Sequence, residues 1–261
     1  MITGVSTACL YPMETEQALR ELASYPIAST EVFLNSHRET EDGFCRNLRM
    51  AADEAGMRVL AVHPYTSGFE PFLFFSNYSR RFEDGMEYYR NYYRAAQLLG
   101  ADYVVFHGGD SHCRLPLEEY FERYLRLWED AKSFGVELVH ENVERCVGRD
   151  PGFFREMGRL LPQCGTVLDV KQAIRSGVSP QKMAQAMEGR IRHLHISDHN
   201  RDEDCIPIGA GNLDVVELLK TVAAGDTIPG VVLELYRSSY ASTENLYTSY
   251  KKLRTIAEFF S

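Results

Sequence analysis

The chain lacks a long apolar run, a closely spaced cysteine pair and a signal-peptide pattern at its N-terminus. Because a transmembrane helix needs about 18 consecutive apolar residues, we expect no membrane span. The first residues, "MITGVSTACLYPMETE", have neither a basic start nor a long apolar core, so we expect no signal peptide. The six cysteines are scattered without CxxC spacing, which is typical of reduced thiols. These features predict a cytoplasmic protein.

Basic residues are outnumbered by acidic ones. The 28 Lys and Arg against 37 Asp and Glu give a net charge of −9. An acidic surface repels phosphate backbones at long range, which counts against nucleic acid as a partner. The chain also lacks an evident linker or low-complexity segment, and its 261 residues suit one α/β barrel. We therefore predict a single domain over residues 1–261.

Short β-branched runs alternate with amphipathic segments along the whole chain. The predicted strands cover 2–8, 29–35, 58–64, 102–109, 136–143, 165–170, 190–198 and 230–236. The predicted helices cover 14–25, 39–56, 80–99, 116–134, 150–160, 171–176, 180–188, 212–224 and 242–260. Eight strand–helix units predict an α/β fold, a (β/α)8 TIM barrel. The alternative, a doubly wound open sheet, often has a Gly-rich first turn, which "TACLYP" does not provide.

Strands five to eight each carry one polar residue inside an apolar run, namely Glu141, Asp169, His195 and Glu234. A lone carboxylate or histidine at a strand end is usually structural. However, three carboxylates converging at one barrel mouth repel each other unless a cation neutralises them. Oxygen and nitrogen ligands in this mixture suit manganese, zinc, cobalt or iron. We therefore predict one divalent metal ion at these four residues.

The segment "HLHISDH" holds three histidines with different expected roles. Strand alternation places His193 on the same face as His195 but deeper, as a core residue or a support for the ligand. His199 falls beyond the strand and is expected to be a solvated loop residue. His63 and His107 end strands three and four, where they are candidates for a second metal site or for substrate binding.

The ordered motifs "VHPY", "FHGG", "HENV", "VLDVKQA", "HLHISDH", "IGAGNLD" and "LELY" resemble those of the xylose-isomerase-like barrel superfamily. This superfamily includes sugar isomerases and epimerases, inosose-type dehydratases and endonuclease IV-type abasic-site nucleases. The resemblance covers essentially the whole chain. It implies that Glu141, Asp169, His195 and Glu234 are the metal ligands, and that the two glutamates move a proton on either side of the substrate.

The resemblance also indicates substrate-binding candidates. Arg201 lies where several epimerases place an arginine against substrate oxygens, although a surface loop arginine fits the sequence equally well. Many epimerases have a histidine at the position of Gln172, whose amide can donate a hydrogen bond to a sugar oxygen. Lys171 is a candidate basic donor in the mouth, and would be needed most by a phosphorylated substrate.

The preferred hypothesis is a metal-dependent isomerase or epimerase that acts on a small sugar, ketose, inosose or sugar phosphate through an enediolate. An inosose-type dehydratase is a close chemical alternative. A zinc-dependent phosphodiesterase of the endonuclease IV type, acting on abasic DNA, is supported by His63 and His107. Its third metal site looks broken, since Gln172, Glu203 and Cys205 stand at expected ligand positions. A barrel that keeps its metal without catalysis is the remaining alternative.

The segment 65–78 is rich in aromatic residues, "YTSGFEPFLFFSNY". Such a loop can close over a barrel mouth and exclude water. It can equally form the contact of a homo-oligomer, because aromatic residues are enriched in interface cores. The sequence leaves both alternatives open.

Overall fold

The computed structural model describes residues 1–225 and 229–260 and contains a closed barrel of eight parallel strands. Each strand pairs with the next in sequence order, and β1 pairs with β8. The strands are β1 Thr3–Ser6, β2 Ser29–Leu34, β3 Arg58–Pro64, β4 Tyr103–Phe106, β5 Glu137–Glu141, β6 Thr166–Asp169, β7 Ile191–Ile196 and β8 Gly230–Leu233. The predicted (β/α)8 fold is confirmed, and the open-sheet alternative is excluded.

Helices cover the outside of the barrel between successive strands. They are α1 Thr15–Ala23, α2 Asp42–Glu54, α3 Glu70–Phe74, α4 Ser79–Leu99, α5 Leu117–Ser133, α6 Pro151–Leu160, α7 Val170–Arg175, α8 Pro180–Met187, α9 Val215–Ala223 and α10 Thr243–Ala257. Among the described residues, none of these helices has the length and apolar character needed to span a membrane.

Element boundaries differ from the prediction in three instructive places. The helix predicted from residue 212 begins at Val215, because the Asp214 carboxylate caps it by accepting a hydrogen bond from the Glu217 amide. The last α-helix ends at Ala257 and is followed by a 3-10 turn. The aromatic segment, predicted only as a loop, contains the short helix α3. The first two differences are end effects, whereas α3 is an additional helix, and the order of the predicted elements is unchanged.

An apolar layer lies inside the barrel below the mouth on strands β3 to β6. Ala61, Val105, Val139 and Val167 form a cluster separate from the main core between sheet and helices. Side chains in a strand alternate between faces, so the residues two positions further along point into the same interior. Those residues are His63, His107, Glu141 and Asp169. Strand geometry thus places a polar layer directly above an apolar one.

Candidate metal centre and active site

The carboxyl ends of the strands surround an open cavity of about 470 Å³. Polar residues from five of the strand ends line it, and four aromatic side chains border it. The polar residues are His63, His107, Glu141, Asp169 and Glu234; the aromatic ones are Tyr11, Phe33, Tyr65 and Tyr236. A concave site with convergent polar groups at this end of a barrel is where catalysis takes place in this fold.

Three carboxylates meet one imidazole nitrogen at the base of the cavity. The Nδ1 atom of His195 lies 3.2 Å from Glu141 Oε1, 3.8 Å from Asp169 Oδ2 and 3.9 Å from Glu234 Oε2. All four side chains are buried. Glu141 and Asp169 are the last residues of β5 and β6, whereas Glu234 follows the end of β8, where its amide still bonds to the Ile196 carbonyl.

The sequence analysis missed Glu31, a buried carboxylate on β2 that supports this cluster. Its Oε2 accepts hydrogen bonds from His195 Nε2 at 2.8 Å and from His193 Nε2 at 2.9 Å. With one His195 ring proton engaged at Nε2, the Nδ1 atom is directed at the three carboxylates. A carboxylate that orients a metal-binding imidazole in this way is a common support in metal sites.

The electrostatics of the cluster suit a bound cation. Burial disfavours the charged form of His195, but Glu31 and Glu234 outweigh it and hold the His195 pKa well above its usual value. A second proton on the imidazole therefore adds positive charge to that of the Lys171 ammonium, which lies 2.7 Å from Glu234 Oε2. A divalent ion would supply that charge instead and leave Nδ1 free to bind it.

The residues fit a divalent metal ion. Ligand atoms of Glu141, Asp169 and His195 lie within 4.8 Å of one another, and Glu234 Oε2 faces the same nitrogen. Within the described residues, Asp169 Oδ2 is buried and accepts no hydrogen bond, while its other oxygen caps α7 through the Gln172 amide at 2.8 Å. An unsatisfied buried oxygen aimed at neighbouring ligands is what metal coordination would satisfy.

His63 and His107 form a second group beside the first. Their Nε2 atoms lie 3.4 Å apart, and His107 Nε2 lies 3.3 Å from Glu141 Oε2. The ligand atoms of these three residues also lie within 4.8 Å of one another. Burial lowers the pKa of His63 to about 4, so this imidazole is neutral near pH 7. Glu141 therefore lies between the two groups, with one oxygen toward each.

A second carboxylate that the sequence analysis missed is Glu70, at the start of α3. Its Oε1 accepts from His107 Nδ1 at 2.9 Å and from the Tyr89 hydroxyl at 2.6 Å. Its Oε2 accepts from the amides of His107 at 2.8 Å and Gly108 at 2.6 Å. Gly108 has a φ of +87°, and a Cβ there would overlap the Tyr120 hydroxyl. Glycine at this position lets the chain turn tightly around the carboxylate.

The three predicted substrate-binding residues have different positions. Lys171 and Gln172 both line the cavity. The Lys171 ammonium lies 2.7 Å from Glu234 Oε2, and Gln172 Oε1 accepts a hydrogen bond from the Glu144 amide at 3.1 Å. Arg201 is exposed and borders a separate cleft on the outside of the mouth. The fold therefore brings two of the three residues to the cavity that contains the carboxylates and His195.

The aromatic segment contributes partly to the core and partly to the rim. Phe74 and Phe75 are buried, and Tyr65 lines the cavity. Phe69, Phe72 and Tyr78 remain more than half exposed. Because its middle is packed and carries Glu70, this segment is a fixed wall of the site as well as part of the outer surface.

Comparisons with known proteins agree with this architecture. A search of curated protein sequences finds no match. A D-tagatose 3-epimerase-like protein has 19% sequence identity and a TM-score of 0.80, covering 100% of this chain and 98% of the other. The IolI protein with bound zinc has 18% identity and a TM-score of 0.79, with 100% of both chains covered. The 3-keto-D-glucoside 4-epimerase of E. coli has 17% identity and a TM-score of 0.75, covering 98% and 99%.

At these identities the structural matches show a shared fold. The sequence profile of the xylose isomerase-like TIM barrel family matches residues 19–256, which include Glu141, Asp169, His195, Glu234 and both supporting carboxylates. The chain therefore belongs to the xylose isomerase-like TIM barrel family.

Proposed function

We propose that the chain is a divalent-metal-dependent isomerase or epimerase of a small carbohydrate. The observation that carries the proposal is the convergence of Glu141, Asp169 and Glu234 on His195 Nδ1 within 3.2–3.9 Å. Structural neighbours that act on keto sugars support the substrate class. The proposed ligands are these four residues, and manganese, zinc, cobalt and iron all suit such a set.

In this proposal Glu141 and Glu234 act as the acid–base pair. They project from β5 and from the end of β8, which lie three strands apart around the barrel. They can therefore approach a substrate carbon from different sides, one removing a proton and the other returning it. A divalent ion held by Glu141, Asp169, His195 and Glu234 would supply positive charge beside the reacting carbon and so ease removal of its proton.

The cavity favours a small polar substrate with apolar faces. Its volume of about 470 Å³ suits a monosaccharide, and Phe33, Tyr65 and Tyr236 offer rings against C–H faces. Gln172 and the imidazole of His63 offer hydrogen-bonding groups for hydroxyl oxygens. The apolar layer beneath keeps water away from the base of the site, where a carbanion-like intermediate would otherwise be protonated at random.

The first test is the metal content of the purified chain and its activity on a panel of ketoses, ketose phosphates and inososes. Protein prepared without added metal is expected to hold about one divalent ion, and Glu234→Gln to lose most of it along with activity. Glu203→Gln, at an exposed carboxylate outside the cluster, is the matched control and should retain both. A chain that binds no ion even after reloading contradicts the proposal.

A zinc phosphodiesterase is the second candidate, because His63, His107 and Glu141 form an adjacent group with metal-ligand spacing. Among the described residues, the groups with such spacing include neither Glu203 nor Cys205, which stand at the third-site positions. Two or more zinc ions per chain, together with cleavage of an abasic-site duplex, would favour this candidate. One ion per chain without cleavage of the duplex favours the epimerase. The same result together with loss of water from an inosose favours the dehydratase.

A further inference from the structure

A buried lysine lies inside the proposed metal cluster. Lys171 is in the first turn of α7, two residues after Asp169, and only 6% of it is exposed. Its Nζ atom lies 2.7 Å from Glu234 Oε2 and 3.5 Å from Asp169 Oδ2. The ammonium also lies 4.9 Å from the centroid of the Tyr236 ring. A buried ammonium is stable only when paired, and the carboxylates of the cluster are its partners.

The ammonium contacts the same oxygens that an ion would need. Asp169 Oδ2 and Glu234 Oε2 are the carboxylate atoms that face His195 Nδ1, at 3.8 and 3.9 Å. A divalent ion bound to that nitrogen takes its oxygen ligands from these two atoms. Since like charges a few ångströms apart repel strongly in a buried site, the ammonium and the ion cannot both keep close contact with them.

We propose that Lys171 is a built-in counter-cation that the divalent ion must displace, so that this residue sets the affinity of the site. This inference rests on the proposed function, because it requires a divalent ion at the cluster. In the metal-free protein the ammonium holds Asp169 and Glu234 together. When the ion binds, those contacts are lost, which lowers affinity compared with a site that has a neutral residue at this position.

The proposal has two linked consequences for a neutral replacement. Lys171→Met keeps an unbranched side chain one atom shorter and removes the charge, so Mn²⁺ and Co²⁺ should bind at least about tenfold more tightly. The metal-free variant should also unfold at a lower temperature, because the buried carboxylates lose their counter-charge. Added ion should therefore raise the melting temperature of the variant by more than it raises that of the wild type.

The test is calorimetric titration of the full chain, stripped with EDTA, with Mn²⁺ and separately with Co²⁺, together with melting curves. Lys171→Gln serves as a second neutral variant that can still hydrogen-bond to a carboxylate. Lys171→Arg keeps the charge and should bind the ions with affinity near that of the wild type. Lys182→Met, at an exposed lysine of α8, removes the same charge outside the cluster and should change neither affinity nor melting.

Each outcome decides between a counter-cation and a merely structural lysine. Unchanged or weaker ion binding in both neutral variants overturns the inference while leaving the proposed function intact. Neutral variants that stay unfolded even in excess Mn²⁺ also overturn it, since the ion should replace the missing charge. Absence of ion binding in the wild type and in every variant instead overturns the proposed function.

Discussion

Two buried imidazoles in this barrel are held in the same way yet face different surroundings. His195 donates its Nε2 proton to Glu31, and His107 donates its Nδ1 proton to Glu70. The free nitrogen of His195 faces three carboxylates, whereas that of His107 faces His63 and one oxygen of Glu141. The comparison shows that the same kind of support presents two imidazoles to different partners. The two groups therefore differ in the number of carboxylates that the free nitrogen meets, three at His195 and one at His107.

Removing the support of His195 should have the largest effect. Glu31→Gln weakens the fixed orientation of the His195 ring, and we expect divalent-ion affinity to fall by about 10- to 100-fold. Calorimetric titration with Mn²⁺ measures the change. Ser29→Ala, at a buried polar residue of the same strand, is the control and should bind the ion normally. Equal affinity in Glu31→Gln and wild type would show that the neighbouring carboxylates orient the imidazole by themselves.

The equivalent change beside His107 should lower the stability of the fold. It should leave the ion proposed at His195 largely in place. Glu70→Gln removes a charged acceptor of four hydrogen bonds, and an amide offers only one oxygen to replace two. We expect the free energy of unfolding to fall by about 2–3 kcal/mol, measured by urea denaturation. The affinity of the first equivalent of Mn²⁺ should change by less than about threefold. A loss as large as that in Glu31→Gln would mean that the two groups bind one shared ion.

A third imidazole, His140, sharpens the comparison because no carboxylate of the described residues bonds to it. Its Nδ1 donates to the Glu141 carbonyl at 3.1 Å, and its Nε2 accepts from the Tyr120 hydroxyl at 2.9 Å. Burial lowers its pKa to about 4, below the value of about 6.5 in an unfolded chain. The unfolded state therefore binds a proton that the folded state rejects as the pH falls from about 6.5 to about 4.

Because of this difference in pKa, His140 makes the folded protein less stable as the pH falls. Near pH 5.5 it should cost the folded state about 1 kcal/mol relative to pH 7.5, and below pH 4 the loss should level off. His140→Gln should reduce the proton uptake on unfolding by about one between pH 6.5 and 4. Unfolding curves of metal-free protein across this range measure the slope. An unchanged slope would assign the acid sensitivity to other groups.

The sequence was enough to predict the barrel, because each strand is a short β-branched run followed by an amphipathic helix. It was also enough to select Glu141, Asp169, His195 and Glu234, since each interrupts an apolar run at a strand end. Parallel strands in a barrel bring such ends together, and the structure shows these four side chains in contact around one nitrogen.

The supporting carboxylates were harder to predict from local pattern. Glu31 is 164 positions from His195, and Glu70 is 37 positions from His107 in a segment dominated by aromatic residues. A charged residue in the middle of "STEVFL" was the one available signal, because a buried strand rarely keeps an unpaired carboxylate. Arg201 was predicted to bind substrate from its position after His195, yet its side chain is exposed at a separate cleft. The position of a residue in a motif does not determine on which side of a loop its side chain lies.

The apolar layer of Ala61, Val105, Val139 and Val167 lies below the polar residues of the mouth, so polarity changes along the barrel axis on these strands. On strands β3 to β6 this level offers water no hydrogen-bonding partner among the cluster side chains, whereas on β7 the buried His193 lies level with Val167 and bonds to Glu31. The open cavity at the carboxyl ends of the strands is the route by which a proposed substrate or ion would reach the polar residues. In the proposed reaction, an apolar floor on this side of the site would let the two carboxylates, and not bulk solvent, choose the face of the carbon that is protonated.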